Sequence, residues 1–310
     1  FFFLYNKCGD SMKVICIGHA AYDITIPVEK FITENTKNRL EGILECGGGP
    51  ANNAAYLLGK WGMDVTFMGV IGNDEYGKYI KKELESVNVD TRYIQVNDRY
   101  KTTSSFIIAN MSTGSRTILT YRSNKLKLTD VNIDFRPDII LVDGQEPEMS
   151  KKIIKENPNA ISIIDAGRPT DEIIELAKMV DYVVCSKEFA ETVADFKFDD
   201  RDDYSYDLIC QALKQEFNGK IVVTLEDKGC VYEINDHFKK VPGIKMDAID
   251  TTGAGDIFHG AFTYGIAKKL PLEETLKFAN IVAGLSVTRL GSKNSMFTLE
   301  EIKEKMNECK

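Results

Sequence analysis

Short apolar runs recur along this chain at the spacing of alternating strands and helices. Val14-Ile15-Cys16-Ile17-Gly18 is apolar throughout and ends on glycine, as strands covered on both faces do. The same pattern predicts strands at 65–71, 139–142, 161–165, 182–185 and 221–225. Helical periodicity predicts helices at 56–61, 76–86, 148–156, 171–178, 206–217, 257–267 and 273–287. Such alternation predicts an α/β architecture, a doubly wound and mostly parallel sheet flanked by helices. Two stretches break it. Residues 20–45 mix β-branched side chains with charges, and 100–122 hold two β-rich runs joined by Ser112-Thr113-Gly114-Ser115, a hairpin signal. Both read as exposed strands of a small sheet projecting from the main layer. The acid-rich stretch 195–206 reads as a solvated loop.

Composition narrows the function. With 310 residues and 43% hydrophobic side chains, the chain has ample material for a core. A net charge of −8 and a pI near 5.2 argue against nucleic acid or an anionic membrane surface as partner. Seven scattered cysteines without a CxxC or Cys/His cluster predict free thiols, no zinc site and a cytoplasmic setting. Phe1-Phe2-Phe3-Leu4-Tyr5 is too short to cross a bilayer, which takes about 20 residues. Because the first methionine is Met12, residues 1–11 are expected to be a leader outside the fold.

The candidate chemistry centres on Asp250-Thr251-Thr252-Gly253-Ala254-Gly255-Asp256. A Gly-Ala-Gly turn feeding a helix forms an anion site, with N–H donors and helix dipole pointing the same way. A carboxylate beside such a site repels an anionic ligand, so Asp256 suggests a chemical role: taking a proton from a group that attacks phosphorus. The alternative is capping by Asp256 or Thr252. Gly47-Gly48-Gly49-Pro50 permits close backbone approach to a ligand, and Asn52 and Asn53 bring amides that suit a polyol. Asp23, just after the first strand, could accept hydrogen bonds from substrate hydroxyls. His259 reads as a satisfied packing residue of the buried helix. Neither GxGxxG nor GxxxxGK[ST] occurs in the expected context, which weakens a dinucleotide site and excludes a P-loop.

Together these loops resemble the ribokinase-like, or PfkB-type, carbohydrate kinase family. Gly48-Gly49-Pro50-Ala51-Asn52 is similar to its N-terminal signature, and Asp250 to Asp256 followed by Phe258 to its C-terminal one. The resemblance runs from about Met12 to Ser295 and implies one kinase domain over 12–310, with lid strands at about 20–45 and 100–122. It implies ATP-dependent phosphorylation of a sugar or related alcohol. Asp256 would be the base, and Gly253, Ala254 and Gly255 the anion hole. Asp23, Gly48, Gly49 and Asn52 would hold sugar hydroxyls. Thr224 and Gly229 would belong to the nucleotide loop, with Asn280 near the adenine. Mg²⁺ would accompany ATP, and Asp250, Thr252, Gly291 and Ser295 resemble loops that hold K⁺ in some members. A small-molecule sugar and ATP are the implied partners, with a homodimer formed through the lid.

The chain also departs from the family. Ser186-Lys187-Glu188-Phe189 stands in place of the Asn-x-x-Glu motif that organises magnesium water, with Glu188 or Glu191 as possible substitutes. Ala21, Gly49 and Gln145 replace residues that ribokinases use, and Glu226 replaces a nucleotide-loop glycine. These changes argue against ribose. Weaker likeness at 103–119, 165–169 and 186–188 to the ketohexokinase branch favours a ketohexose. Arg116, Arg122 and Arg168 could bind an anionic substituent on the substrate, or simply be solvated. Phe106 and Tyr100 keep a nucleoside kinase open, and a non-catalytic sugar- or nucleotide-binding regulator is the reading from another class.

Overall fold

The computed structural model describes residues 12–30 and 32–308, so the expected leader lies outside the described residues. The chain opens with β1 (Lys13–Ile17), β2 (Ala21–Val28), β3 (Leu44–Gly48) and α1 (Pro50–Lys60). It continues through β4 (Asp64–Gly72), α2 (Glu75–Glu85), β5 (Asp90–Asn97), β6 (Thr103–Asn110) and β7 (Arg116–Tyr121). A βα alternation follows: β8 (Ile139–Val142), α3 (Pro147–Glu156), β9 (Ile161–Ala166), α4 (Asp171–Ala177), β10 (Tyr182–Ser186) and α5 (Lys187–Ala194). The last part holds α6 (Asp203–Glu216), β11 (Lys220–Thr224), β12 (Gly229–Ile234), β13 (His237–Pro242), α7 (Ala254–Ala267), α8 (Leu272–Ser286) and α9 (Leu299–Glu308).

The large sheet has the order β13-β12-β11-β10-β9-β8-β1-β4-β5. It is parallel from β5 to β11, and only β12 runs against the rest, antiparallel to both β11 and β13. The strand periodicity of two explains its two cores. Val14 and Cys16 point into one core with Leu57 of α1, Phe262 of α7 and Phe278 of α8. Ile15 and Ile17 point into the other with Ile153 of α3, Leu176 of α4, Phe189 of α5 and Leu213 of α6. Helix α7 is buried on every side from Ile257 to Ala267, which accounts for its apolar composition all round.

A second sheet of order β3-β2-β6-β7 forms the lid. Its strands differ from the sequence expectation. Among the described residues of 29–43 none is in a strand, and the first five residues of β2 are buried, because β3 and β6 flank it on both sides. Only β7, at the edge, is exposed along its whole length. The solvated loop at 195–206 is shorter than expected: Asp202 caps α6, which begins at Asp203 and buries Ser205 and Tyr206. Helix α1 begins at Pro50, well before 56, because proline's fixed φ suits the first helical position.

Phe262 is fully buried and its ring meets that of Tyr182 at 5.5 Å. Replacement by alanine should lower unfolding free energy by about 3–5 kcal/mol. Urea denaturation checks this, and an unshifted midpoint would mean that α7 does not hold that core.

Candidate active site

The first turn of α7 is built on glycine. Gly253 is the N-cap with φ 77°, and a Cβ there would lie 2.9 Å from Ser292 Cβ, so both backbone and space require glycine. No side chain caps the helix. The capping reading therefore fails for Asp256 and Thr252: the Thr252 hydroxyl is buried without a partner, and Asp256 is engaged elsewhere. Ala254 N–H leans on Thr251 O at 3.3 Å, while those of Gly253, Gly255 and Asp256 have no acceptor among the described residues. A Cβ on Gly255 would meet open space. Free donors at an accessible helix N-terminus form an anion hole.

Asp250 fixes this turn. Its Oδ1 accepts from Thr252 N at 2.9 Å and its Oδ2 from Gly291 N at 2.8 Å, tying the approach to α7 to the loop after α8. Gly291 O in turn accepts from Ser295 N at 3.0 Å, so the expected cation-site residues do gather.

Asn53 Nδ2 donates to Asp256 Oδ2 at 2.6 Å, leaving Asn53 Oδ1 buried without a partner. Beside it, buried Lys293 donates to Asn52 Oδ1 at 2.7 Å, with Glu83 3.9 Å away. Lysine only donates, so Asn52 must turn its Nδ2 away, and that atom is buried without a partner. Two adjacent amides thus present one unsatisfied donor and one unsatisfied acceptor. Glu83 also accepts from Gly47 N at 2.9 Å, which holds the glycine loop. A Cβ on Gly48 would fall 1.9 Å from Asp23 Oδ2, so Asp23 lies against the bare Cα. Gly49 adopts φ 99° with His19 O crowding its Cβ direction at 2.4 Å.

Asp143, buried at the end of β8, joins these loops. Its Oδ2 accepts from His19 N at 2.8 Å and Ala51 N at 3.1 Å, and its Oδ1 from Gln145 N at 2.9 Å. Arg116 and Arg122 have protein partners: Arg116 donates to Thr251 Oγ1 and Arg122 to Gln145 Oε1, which pins both ends of β7 to the site loops. Arg168 is exposed.

Of the residues expected at the nucleotide, Thr224 closes β11 and donates to Cys185 O at 3.3 Å. Gly229 has φ 93° and packs against Gly243. Glu226 adopts φ 56°, so the chain keeps a glycine-like backbone without glycine. Asn280 spends its Nδ2 on Val241 O and Pro242 O, holding the end of β13. Ser186 caps α5 by accepting from Phe189 N at 3.0 Å. Glu191 is committed to Lys197 and Phe198 N, and Glu188 is exposed. This segment does not fit a magnesium-ordering pair. Among the described residues no cluster of His, Cys, Asp or Glu could hold a metal ion.

Burial governs the electrostatics. Asp256 is pushed up to about 6 by desolvation and by Asp165, against the pull of Asn53, His259 and Lys293. Asp23 rises to about 6 by desolvation, moderated by a hydrogen bond with Ser105. Burial lowers Lys293 and raises Asp143. Sequence reasoning missed Asp143, Lys293 and the Asn53–Asp256 pair. Asp143-Gly144 could have been found by its place after a strand. Lys293 left no signal, since lysine is normally exposed.

These features are those of a ribokinase-like phosphotransferase. The chain belongs to the pfkB family of carbohydrate kinases, whose model matches residues 11–299. It is 24% identical over 272 residues to a ribokinase of Lactococcus lactis, spanning 84% of this chain and 86% of that one. It is 27% identical over 286 residues to fructokinase-2 of Zea mays, spanning 81% and 82%. The structure of Arabidopsis thaliana ribokinase complexed with ribose and ATP superimposes with a TM-score of 0.76 at 22% identity, covering 95% of this chain and 98% of that one. The protein is accordingly an ATP-dependent carbohydrate kinase. No helix among the described residues is long and apolar enough to cross a membrane.

The raised Asp256 carries a stability cost with a definite sign. Its folded value of about 6 exceeds the ordinary 3.8, so the ionised form burdens the folded state above pH 6 and the burden fades as pH falls toward 4. Asp256→Asn should therefore be more stable than wild type at pH 8 by about 1–2 kcal/mol after discounting for partial exposure. Thermal unfolding across pH checks this: the gap should close near pH 4, and a gap constant with pH would remove the charge as its cause.

Proposed function

We propose that this kinase transfers the γ-phosphoryl group of ATP to a hydroxyl of a monosaccharide, with a ketohexose favoured. The observation that carries the reading is the Asn53–Asp256 pair beside the free first-turn N–H groups of α7. Asn53 occupies Asp256 Oδ2, which leaves Oδ1 to take the proton of the attacking hydroxyl. The N–H groups of the Gly253–Asp256 turn stabilise negative charge on the transferring group. On the sugar side, Asn52 Nδ2 needs an acceptor, Asn53 Oδ1 needs a donor, and Asp23 accepts. Neighbouring hydroxyls supply both kinds of group, which a hydrocarbon ring cannot. Gly48 and Gly49 let the sugar approach the backbone. Gln145 in place of an acid, together with the likeness to a fructokinase, supports the ketohexose preference.

Thr224, Gly229 and the loop held by Asn280 border the nucleotide. A K⁺-type ion fits beside Asp250, Thr252, Gly291 and Ser295, where the buried Thr252 oxygen has no other partner. It would add positive charge next to the anion hole. Exposed Phe106, Ile118, Leu119 and Tyr121 give the lid an apolar surface suited to a second copy of this chain.

An ADP-release screen over ketohexoses, aldoses, sugar acids, sugar phosphates and nucleosides, with Mg²⁺ and K⁺ present, tests the assignment. Turnover should be highest with a ketohexose, and turnover of nucleosides alone would overturn it. Asp256→Asn should lose several orders of magnitude in kcat with sugar binding nearly intact. Near-wild-type turnover in that variant would remove Asp256 from the mechanism. Lys293→Met should raise sugar KM about tenfold by releasing Asn52, with a smaller effect on kcat in steady-state kinetics.

A further inference from the structure

One lid residue reaches past the proposed sugar side to the turn before α7. Arg116 opens β7, the edge strand that pairs only with β6 and is exposed along its whole length. Its Nη1 donates to Thr251 Oγ1. A guanidinium is always charged and only donates, so the sense of this bond does not depend on pH. Thr251 is part of the anion-hole turn itself. Its carbonyl accepts from Ala254 N, and the residues on either side of it are joined by the bond from Thr252 N to Asp250 Oδ1. A second contact lies close by: a Cβ on Gly114, at the tip of the β6–β7 hairpin, would lie 3.5 Å from Ala248 O. The stretch 243–253 forms neither helix nor strand. Gly243, Ile249 and Asp250 donate their N–H groups to the body of the domain, at Lys228 O and Val287 O, but those from Ile244 to Ala248 have no backbone acceptor among the described residues. The lid hairpin therefore touches the approach to α7 where its own backbone bonding is thinnest. At the other end of β7, Arg122 holds Gln145, in a loop that supplies none of the anion-hole donors.

We propose that Arg116 is a positioning residue that couples the two substrates: through Thr251 it ties the anion-hole turn to the lid, so that a sugar under the lid tightens the hold on the nucleotide. Asp23, Gly47 and Gly48 lie on β2 and β3 of the same sheet as β7, so a ligand that steadies those strands steadies Arg116. Arg116 then steadies Thr251 and the N–H groups that follow it. Linkage makes the effect reciprocal: the nucleotide must tighten the sugar by the same factor. A single hydrogen bond from an exposed arginine contributes little to folding, so its loss should leave the fold intact.

The coupling of substrates rests on the kinase reading above, whereas the tether itself is read without any ligand. Hydrogen exchange of the unliganded protein should be faster across residues 250–257 in both Arg116→Gln and Thr251→Val. It should be unchanged there in Arg122→Gln, which frees the other end of β7. With fructose and a non-hydrolysable ATP analogue as probes, calorimetry on the wild type should show each ligand tightening the other by about fivefold or more. That factor should fall to about one in either variant, and the double variant should be no worse than the single ones. Exchange unmoved in both variants, or a coupling factor that is absent from the wild type or retained in the variants, overturns the proposal. So does weaker analogue binding without sugar in Arg116→Gln but not in Thr251→Val, which would make Arg116 a direct phosphate contact. If fructose does not bind, the sugar turned over fastest in the screen takes its place. Absence of any turnover would defeat the kinase reading, and the exchange result would still decide whether the lid holds the turn.

Discussion

Asp143 accepts N–H groups from the loop after β1, from the first turn of α1 and from its own loop after β8. A buried carboxylate is costly to keep, and three backbone donors are what make its ionised form tolerable. In return, three separate pieces of chain are held at fixed distances. Asn52 and Asn53 lie on α1, whose first turn this bond to Ala51 holds. Asn53 then reaches Asp256, so the position of the proposed base depends on a carboxylate from another part of the chain. Asp250 plays the matching part on the other side, joining the approach to α7 to the Gly291 loop.

The centre gathers far more acid than its surroundings can neutralise locally. Asp23, Asp143, Asp165 and Asp256 are all raised chiefly by desolvation, and Lys293 is the lysine buried among them. Lys293 sits against the Asn52 amide, not merely against opposite charges, and so fixes which end of that amide turns away from it. Polar groups left incomplete at Asn52, Asn53 and Thr252 are the features that a bound ligand would satisfy, which separates them from the fully paired groups around them.

Much of the main sheet was legible because its strands are short, apolar and doubly covered, and its helices keep a clear period. The strands that escaped notice lie at the two ends of the large sheet. Strand β5 alternates polar and apolar residues at the sheet margin, and the β12–β13 hairpin turns on Asn235 and Asp236 in the left-handed region. Helix α5 was hidden because it starts at Lys187 directly after β10, with no loop between them to mark its start. In the site, Asp256 and the glycines could be read because chemistry and backbone both demand them. Lys293 reaches Asn52 across 241 positions, and Asp143 reaches His19 across 124 and Ala51 across 92, which no local pattern records.

The turn at Gly253 has one more consequence. The donors of the proposed anion hole are main-chain atoms, so no substitution short of proline can delete them, and at Gly253 no side chain can be added without strain. The proposed sugar side is different: Asp23 on β2, Asn52 and Asn53 on α1 and Gln145 after β8 offer side chains, which substitution can replace. Inheritance of the reaction and inheritance of the substrate are thus carried by different parts of the chain. A lineage of such proteins can change the molecule it acts on by drifting in a few side chains while the anion hole stays written in the backbone.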